Sequence, residues 1–331
     1  MVYAPRSLPP RSLPVPASVS PALKKAIAQP LQGAMEAIKQ VPALEDGQAW
    51  QDLITRYDQA SEVLFQQLRQ QFPVTLTQES IAGVNAYRLT PPTISPENSQ
   101  RIWVHLHGGG YALAGGELAT GEAILAAHYG QVEVISIDYR QPPNYPFPAA
   151  LEDALAVWRE LLKTHDVNRL ALFGTSAGGG LLLALVCQLR QLNLPLPAAI
   201  APLSPWVDLT KTGDTYFTNE YVDRTAISYG GLLAGLAQLY AGELPLNHPF
   251  ISPLYNNLEG LPPTLLISGT RDLVLSDTVR LQRKLRQNNV PVDLQLFEGL
   301  SHAEYLYEFD TPESAEVFRE LSQFFNRHLQ K

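Results

Sequence analysis

Residues 170–186, "LALFGTSAGGGLLLALV", decide how the rest of the chain is read. An apolar run enters a cluster of glycines, passes one serine and leaves as a second apolar run too regular for a loop. That order predicts a strand, a sharp turn and a helix. Gly174, Thr175, Ser176, Ala177 and Gly178 fit G-x-S-x-G in this setting. The pattern puts a serine on a strained strand-to-helix corner, where the residues two before and two after must be nearly bare for the backbones to pass. The helix that follows aims its positive end and free N–H groups at the same spot, which favours a developing oxyanion. A glycine-rich nucleotide-binding turn is the competing reading. It fits less well, because Ser176 stands where G-x-G-x-x-G needs its second glycine, and no P-loop lysine is present.

Outward from this corner, short β-rich runs alternate with longer helical ones. "RIWVHLHG", "VEVISIDYR", "RLALFGTS", "AAIAPLSPW", "PPTLLISGT" and "VDLQLFEG" read as strands, separated by helical patterns such as "EAILAAHYG", "ALEDALAVWRELLK" and "SDTVRLQRKLRQNN". The rhythm predicts an α/β fold with a mainly parallel sheet covered on both faces, and ligands at the carboxyl ends of the strands. Residues 1–20 hold five prolines and read as an extended, loosely held arm. Apolar residues at three- and four-residue spacings predict helices between 21 and 75 with no partner nearby in sequence, so they should cover something. Segment 207–255 interrupts the rhythm between two strands and reads as a helical insertion over the top of the sheet.

At 331 residues, 45% hydrophobic and 17% charged, the chain can bury a large core. A net charge of −8 without a Lys/Arg block argues against nucleic acid or an anionic membrane surface as partner. No apolar segment is long enough for a membrane span, and the N-terminus lacks the apolar stretch of a secretion signal, which points to the cytoplasm. The single cysteine, Cys187 in "LLLALVCQLR", excludes a disulfide framework and reads as a small buried hydrophobe.

A serine hydroxyl is a weak nucleophile and needs a histidine base oriented by a carboxylate, in the chain order serine, acid, histidine for this type of corner. Of the seven histidines, His302 stands apart: it follows the strand "VDLQLFEG" in a loop before the last helix. The acid should follow the preceding strand, where two candidates lie. Asp272, directly at the strand's end, is the favoured one; Asp277 reads equally well as a helix N-cap and is the fallback. "HLHGGGYALAGG", from His105 to Gly116, supplies bare backbone N–H groups for an oxyanion after an early strand. An H-x-H metal pair at His105 and His107 is the alternative there, without evident carboxylate or histidine partners in sequence.

With these motifs in place the chain resembles the hormone-sensitive-lipase-like esterases, the bacterial family IV branch of the α/β-hydrolases. The matching stretches are "HGGGY" (107–111), "DYRQPPNYPFPAALED" (138–153), "GTSAGGG" (174–180), "SPWVDLT" (204–210), "GTRD" (269–272) and "SHAEY" (301–305). Thr175 places it with the GTSAG group. Leu273-Val274 departs from the Pro-Leu that follows the acid in many members, so the acid's register rests on "GTRD". The resemblance implies an α/β-hydrolase fold: an eight-stranded core from 76–206 and 256–331 under a helical cap from 21–75 and 207–255. It makes Ser176 the nucleophile, Asp272 the acid and His302 the base. Oxyanion donors would come from Ala177, Gly109 and Gly110, with Gly108 shaping the turn and His107 holding the loop. Tyr111, Trp206, Tyr216, Phe217 and Tyr221 become candidates to line an acyl pocket. The implied reaction is hydrolysis of short- to medium-chain acyl esters through an acyl-enzyme, with no metal or organic cofactor and a homodimer as one assembly. A non-catalytic small-molecule receptor, or an acyltransferase, amidase or lactonase with the same triad, remain the alternatives.

Overall fold

Leu170–Thr175 carries no polar alternation because both its faces are covered: every residue of this strand is buried. It is the fifth of eight strands in a computed structural model that describes residues 9, 10, 12–31, 36 and 40–330. In chain order these are β1 (Thr75–Ile81), β2 (Val84–Thr90), β3 (Ile102–Leu106), β4 (Glu133–Ile137), β5 (Leu170–Thr175), β6 (Ala199–Leu203), β7 (Thr264–Gly269) and β8 (Val292–Phe297). They form one sheet in the order β1-β2-β4-β3-β5-β6-β7-β8. Pairing is parallel from β4 through β8 and antiparallel at β1–β2 and β2–β4.

The period of two divides the apolar side chains between two cores. Leu170 and Leu172 point into one with Val104, Ile135 and Leu266, while Ala171 and Phe173 point into the other with Trp103, Val134 and Ile267. The first core is closed by α4 (Ala149–Leu161), α5 (Ala177–Gln191) and α8 (Leu275–Gln287), and the second by α3 (Gly121–Gly130) and α9 (Pro312–His328). Cys187 lies inside α5, where burial pushes its thiol up to about 12. Among the described residues no helix is long and apolar enough to cross a membrane.

The hairpin β1–β2 has no counterpart among the strands read from sequence. Ile81 pairs with Val84 across a two-residue turn in which Ala82 and Gly83 take φ of 52° and 83°. Both must be left-handed in such a turn, and alanine there does not announce one as Asn-Gly would.

The N-terminal region is held more tightly than its prolines suggest. Val19, Leu23, Ala26 and Ile27 are buried in the second core, and the Ser20 amide and hydroxyl donate to the two carboxylate oxygens of Glu313 at 2.7 and 2.8 Å. Residues 1–8 and 11 of the expected arm, and 32–35 and 37–39 of the first helical pattern, lie outside the described residues. Helix α1 (Pro21–Ile27) is followed by α2 (Gly47–Gln71), whose ends do different things. Phe65, Leu68 and Phe72 pack on the body, whereas Trp50, Leu53 and Ile54 join Ala112 and Leu113 of the glycine loop. Leu236 and Leu239 complete that small cluster from α7 (Ala234–Ala241) in the insertion.

Segment 207–255 is less helical than its pattern predicts. It holds the single turn α6 (Thr215–Thr218) and the short α7. Gly230 and Gly231, at ψ 136° and φ 89°, break what would otherwise be one longer helix.

Candidate active site

The site is built where β3, β5, β7 and β8 end. Ser176 follows β5 at φ 59° and ψ −121°, a backbone region that costs a non-glycine residue about 1–3 kcal/mol. The strain is held from both sides: its amide donates to Leu203 O at 2.9 Å, and its carbonyl accepts from Gly180 at 3.1 Å and Trp206 at 3.0 Å. The glycines of the corner exist for the strand beside it. A Cβ on Gly174 would stand 2.2 Å from Leu106 O, and one on Gly178 1.9 Å from the same atom. Position 176 therefore tolerates its conformation only because both flanking residues let the end of β3 through.

His302 Nε2 lies 2.8 Å from Ser176 Oγ, and its Nδ1 lies 3.0 Å from Asp272 Oδ1. Asp272 is fully buried, with Oδ1 also accepting from the Val274 amide at 2.9 Å and Oδ2 accepting from Ser268 Oγ at 2.8 Å. Burial works to raise Asp272, but the facing imidazole and these donors win and hold it below the usual carboxylate range. Burial likewise works to lower His302, and the Asp272 carboxylate outweighs it, so the histidine titrates above its ordinary value.

Asp277 sits elsewhere. It lies in the first turn of α8, behind Val274 at the cap position, and its Oδ2 accepts from the amides of Val207 and Asp208 and from Tyr216 Oη at 3.0–3.2 Å. Burial, reinforced by the charge of Asp208, pushes Asp277 well above the carboxylate range. The acid pairs β6's exit to α8 and makes no hydrogen bond to His302.

The glycine loop after β3 leans on the serine: a Cβ on Gly108 would stand 3.0 Å from Thr175 O and 3.6 Å from Ser176 Cβ. Gly109, at φ 94°, accepts from the Leu113 amide at 2.8 Å, and a Cβ there would stand 2.4 Å from Leu113 O. Ala177 opens α5, so its amide has no acceptor within the helix. The outer part of the loop is tied down by Asp138 to the Gly116 amide at 2.9 Å and by Asp58 of α2 to the Ala114 amide at 3.0 Å. His107 stacks on Tyr139 with ring centres 4.1 Å apart and donates from Nδ1 to Gly108 O at 2.8 Å. Burial lowers His107 to about 3, which keeps it neutral.

His105 is not without a carboxylate, as its sequence neighbourhood suggests. Glu122 on α3 lies 3.0 Å from its Nε2, and Ser136 Oγ lies 2.9 Å from its Nδ1. The same Glu122 accepts from the hydroxyl of Thr175 at 2.6 Å, and that hydroxyl also lies 2.8 Å from Tyr305 Oη. Thr175 thus joins the serine corner to the segment that carries His302. Among the described residues no three His, Cys, Asp or Glu side chains gather as a metal-holding group.

These features match known proteins. A family model described as the alpha/beta hydrolase fold covers residues 103–306. An esterase of Acinetobacter venetianus is 30% identical over 233 residues, 69% of this chain and 75% of that one. Among solved structures, the crystal structure of an esterase E25 superposes with a TM-score of 0.95 at 38% identity, covering 98% of this chain and 99% of that one. An esterase from the bacterial hormone-sensitive lipase (HSL) family superposes with a TM-score of 0.75 at 28% identity, over 95% of this chain and 100% of the other. The chain belongs to the hormone-sensitive-lipase-like esterases of the α/β hydrolase fold.

Within this esterase the aromatic candidates fall into two groups. Tyr111, Trp206 and Tyr216 are buried inside the protein. Tyr111 stacks on Tyr240 at 3.6 Å, and the Tyr216 hydroxyl is taken by Asp208 O and Asp277. Tyr216 lies enclosed beneath α8. Its place on the one-turn helix α6, folded inward, is what the sequence could not show. Phe217 and Tyr221 are exposed at 62% and 47%. Tyr221 lines an open groove of about 490 Å3 that it shares with Leu13, Ile27, Arg224 and Arg271, on the arm side of the insertion.

Two residues at the site carried no sequence signal. Ser268, on β7, fills the second oxygen of Asp272. Asp223, within "NEYVDRTA", lies fully buried beside Asp272 and His302.

Proposed function

We propose that Ser176, His302 and Asp272 act as nucleophile, base and acid in the hydrolysis of short- to medium-chain acyl esters through an acyl-enzyme. His302 takes the Ser176 proton as Oγ attacks the ester carbonyl, and the Asp272 carboxylate fixes the Nδ1–H tautomer and stabilises the imidazolium. The amides of Gly109, Gly110 and Ala177 are the donors we assign to the oxyanion, with Gly108 setting the turn. His302 then protonates the leaving alcohol and activates the water that releases the acid. The observation that carries this reading is the single imidazole bridging Ser176 at 2.8 Å and Asp272 at 3.0 Å.

Segments 21–75 and 207–255 act as the cap in this reading, supported by the cluster in which Trp50 and Leu236 meet on the glycine loop. Tyr111, Trp206, Tyr216, Phe217 and Tyr221 are the residues we assign to the acyl pocket, of which Phe217 and Tyr221 are exposed. A homodimer is part of the proposal, supported by β8, which lies at the free edge of the sheet with Leu296 exposed.

A series of p-nitrophenyl esters of increasing acyl length, run with Ser176→Ala alongside, tests the reading. The wild type should turn over the short and medium esters, and the variant should lose at least about 10^4 in kcat. Equal slow release by both proteins on every ester would overturn the assignment of Ser176.

A further inference from the structure

We infer that Asp223, carried by the 207–255 insertion, is a positioning residue that sets Asp272 and His302 against Ser176. The inference rests on the triad assignment above and adds to it.

Asp272 and His302 stand on loops beyond the ends of β7 and β8, which the amides of Thr270 and Arg271 tie together through Phe297 O at 3.0 Å and Leu300 O at 3.1 Å, short of the acid and the base themselves. One side-chain atom reaches the backbone at both. Asp223 Oδ2 accepts from the Leu273 amide, next to the acid, at 2.6 Å and from the amide of His302 itself at 3.0 Å. The other oxygen, Oδ1, accepts from the amides of Thr225 and Ala226 at 2.8 and 2.9 Å, which anchors the carboxylate in its own turn. Asp223 and Leu273 are fully buried, and His302 and Ala226 nearly so. Buried N–H groups deprived of an acceptor are costly, so the two loops are bound to this carboxylate and hence to each other.

Neighbouring residues of the insertion complete the clamp. Asn219 donates from Nδ2 to Asp272 O at 2.8 Å and to Thr270 O at 3.3 Å. Thr215 accepts from the Ser276 amide and donates to Leu273 O, both at 2.8 Å. The Arg224 amide donates to Ser301 Oγ at 3.2 Å, and its guanidinium is bound by Glu304. The insertion thus forms the wall behind the acid and base as well as covering ground above the sheet.

The carboxylate also contributes charge. The groups facing this spot are Asp272 on the acid loop, His302 and Glu304 on the histidine loop, Asp277 on α8, Arg224 beside it, and Tyr307 and Glu308. Burial and the charge of Asp272 raise Asp223 to about 6, so at neutral pH it is largely ionised and helps to hold the proton on His302. The base must be neutral to act. Removing this charge therefore moves the acidic limb of kcat/KM to lower pH.

The test compares Asp223→Asn and Asn219→Ala with the wild type and Ser176→Ala, on a p-nitrophenyl ester between pH 5 and 9. Rates of the proteins that keep Ser176 are normalised to sites labelled to completion by a phosphonate, and that of Ser176→Ala to protein concentration. Asp223→Asn puts an amide N–H against backbone donors and misplaces the acid and base, so kcat should fall about 10- to 100-fold with KM held within about threefold. Its acidic limb should move down by about half a unit or more. Asn219→Ala, at a half-buried position, should lose about three- to tenfold in kcat with the limb unmoved. Loss only in proportion to labelled sites, with an unmoved limb, means a purely structural Asp223 and overturns the proposal. Should Asp223→Asn fail to accumulate, a wild-type kcat for Asn219→Ala overturns it instead. An inert Ser176→Ala beside a wild-type-like Asp223→Asn removes the clamp alone, whereas an active Ser176→Ala removes the triad assignment.

Discussion

Replacing Asp272 by asparagine keeps the shape of the acid and removes its charge. In the wild type that charge faces His302 Nδ1 at 3.0 Å, in a place closed to solvent. In the proposed mechanism the negative charge does its work when His302 becomes an imidazolium in the transition state. With the charge centres roughly 4 Å apart and an effective dielectric of about 20, the lost attraction is about 4 kcal/mol, or about 10^3 in kcat. The asparagine amide can also turn its NH2 toward Nδ1 and select the wrong tautomer, which works in the same direction. KM should stay within about threefold, because the acid is buried behind the histidine. The pH profile gives a second reading. His302 is held above its ordinary value mainly by Asp272 working against burial, so kcat/KM in the wild type climbs as pH rises through that raised value. In Asp272→Asn the climb begins at lower pH, on a far lower plateau. Initial rates of p-nitrophenyl ester cleavage from pH 5 to 9, with Asp277→Asn in parallel, provide the measurement. Asp277 is engaged by the amides of Val207 and Asp208 and by Tyr216 and makes no hydrogen bond to His302, so its replacement should leave kcat within about threefold. A thousandfold loss at Asp277 with a mild effect at Asp272 would refute the assignment and the electrostatic argument together.

Other consequences can be checked separately. Asp277 binds its proton far above the range of an unfolded aspartate, so the folded state loses stability as pH rises from about 4 toward that raised value; the Tm deficit of Asp277→Asn should therefore shrink with rising pH, and a deficit that widens would contradict the sign. Gly109→Ala forces a side chain at φ 94° to within 2.4 Å of Leu113 O and should displace an oxyanion donor, lowering kcat about 10^2-fold or more; a wild-type kcat would remove Gly109 from that role. Thr175→Val takes one donor from buried Glu122 and the partner of Tyr305, so it should cost about 1–3 kcal/mol, read as a drop in Tm that Thr175→Ser restores.

The serine corner was legible because its constraint is local. A strand, a left-handed serine and a helix can share five residues only if the flanking positions are bare, and that requirement is written directly as G-x-S-x-G. The strand rhythm was legible for a similar reason, since a sheet covered on both faces demands continuous apolar runs such as β5 and β6. The β1–β2 hairpin escaped because Ala82 occupies a left-handed turn position without the usual asparagine or glycine. The insertion read as helical from its apolar spacing, and the Gly230–Gly231 pair overrode that pattern.

For the acid, sequence order favoured Asp272 and left Asp277, five residues further on, as the fallback. Tertiary packing separated them by giving one a histidine and the other three donors from β6's exit and α6. Asp223 had no motif at all, because its four partners are backbone amides and an amide has no letter in the sequence. Likewise, Tyr216 and Tyr221 stand five residues apart in one aromatic stretch, and only the fold decided that one is core and the other surface. The sequence by itself determined what depends on short-range backbone geometry: the serine on its glycine corner, the glycine loop after β3 and the family. Only the tertiary structure decided what depends on segments distant in the chain meeting: which carboxylate faces His302, and how a buried carboxylate from the insertion holds acid and base in register.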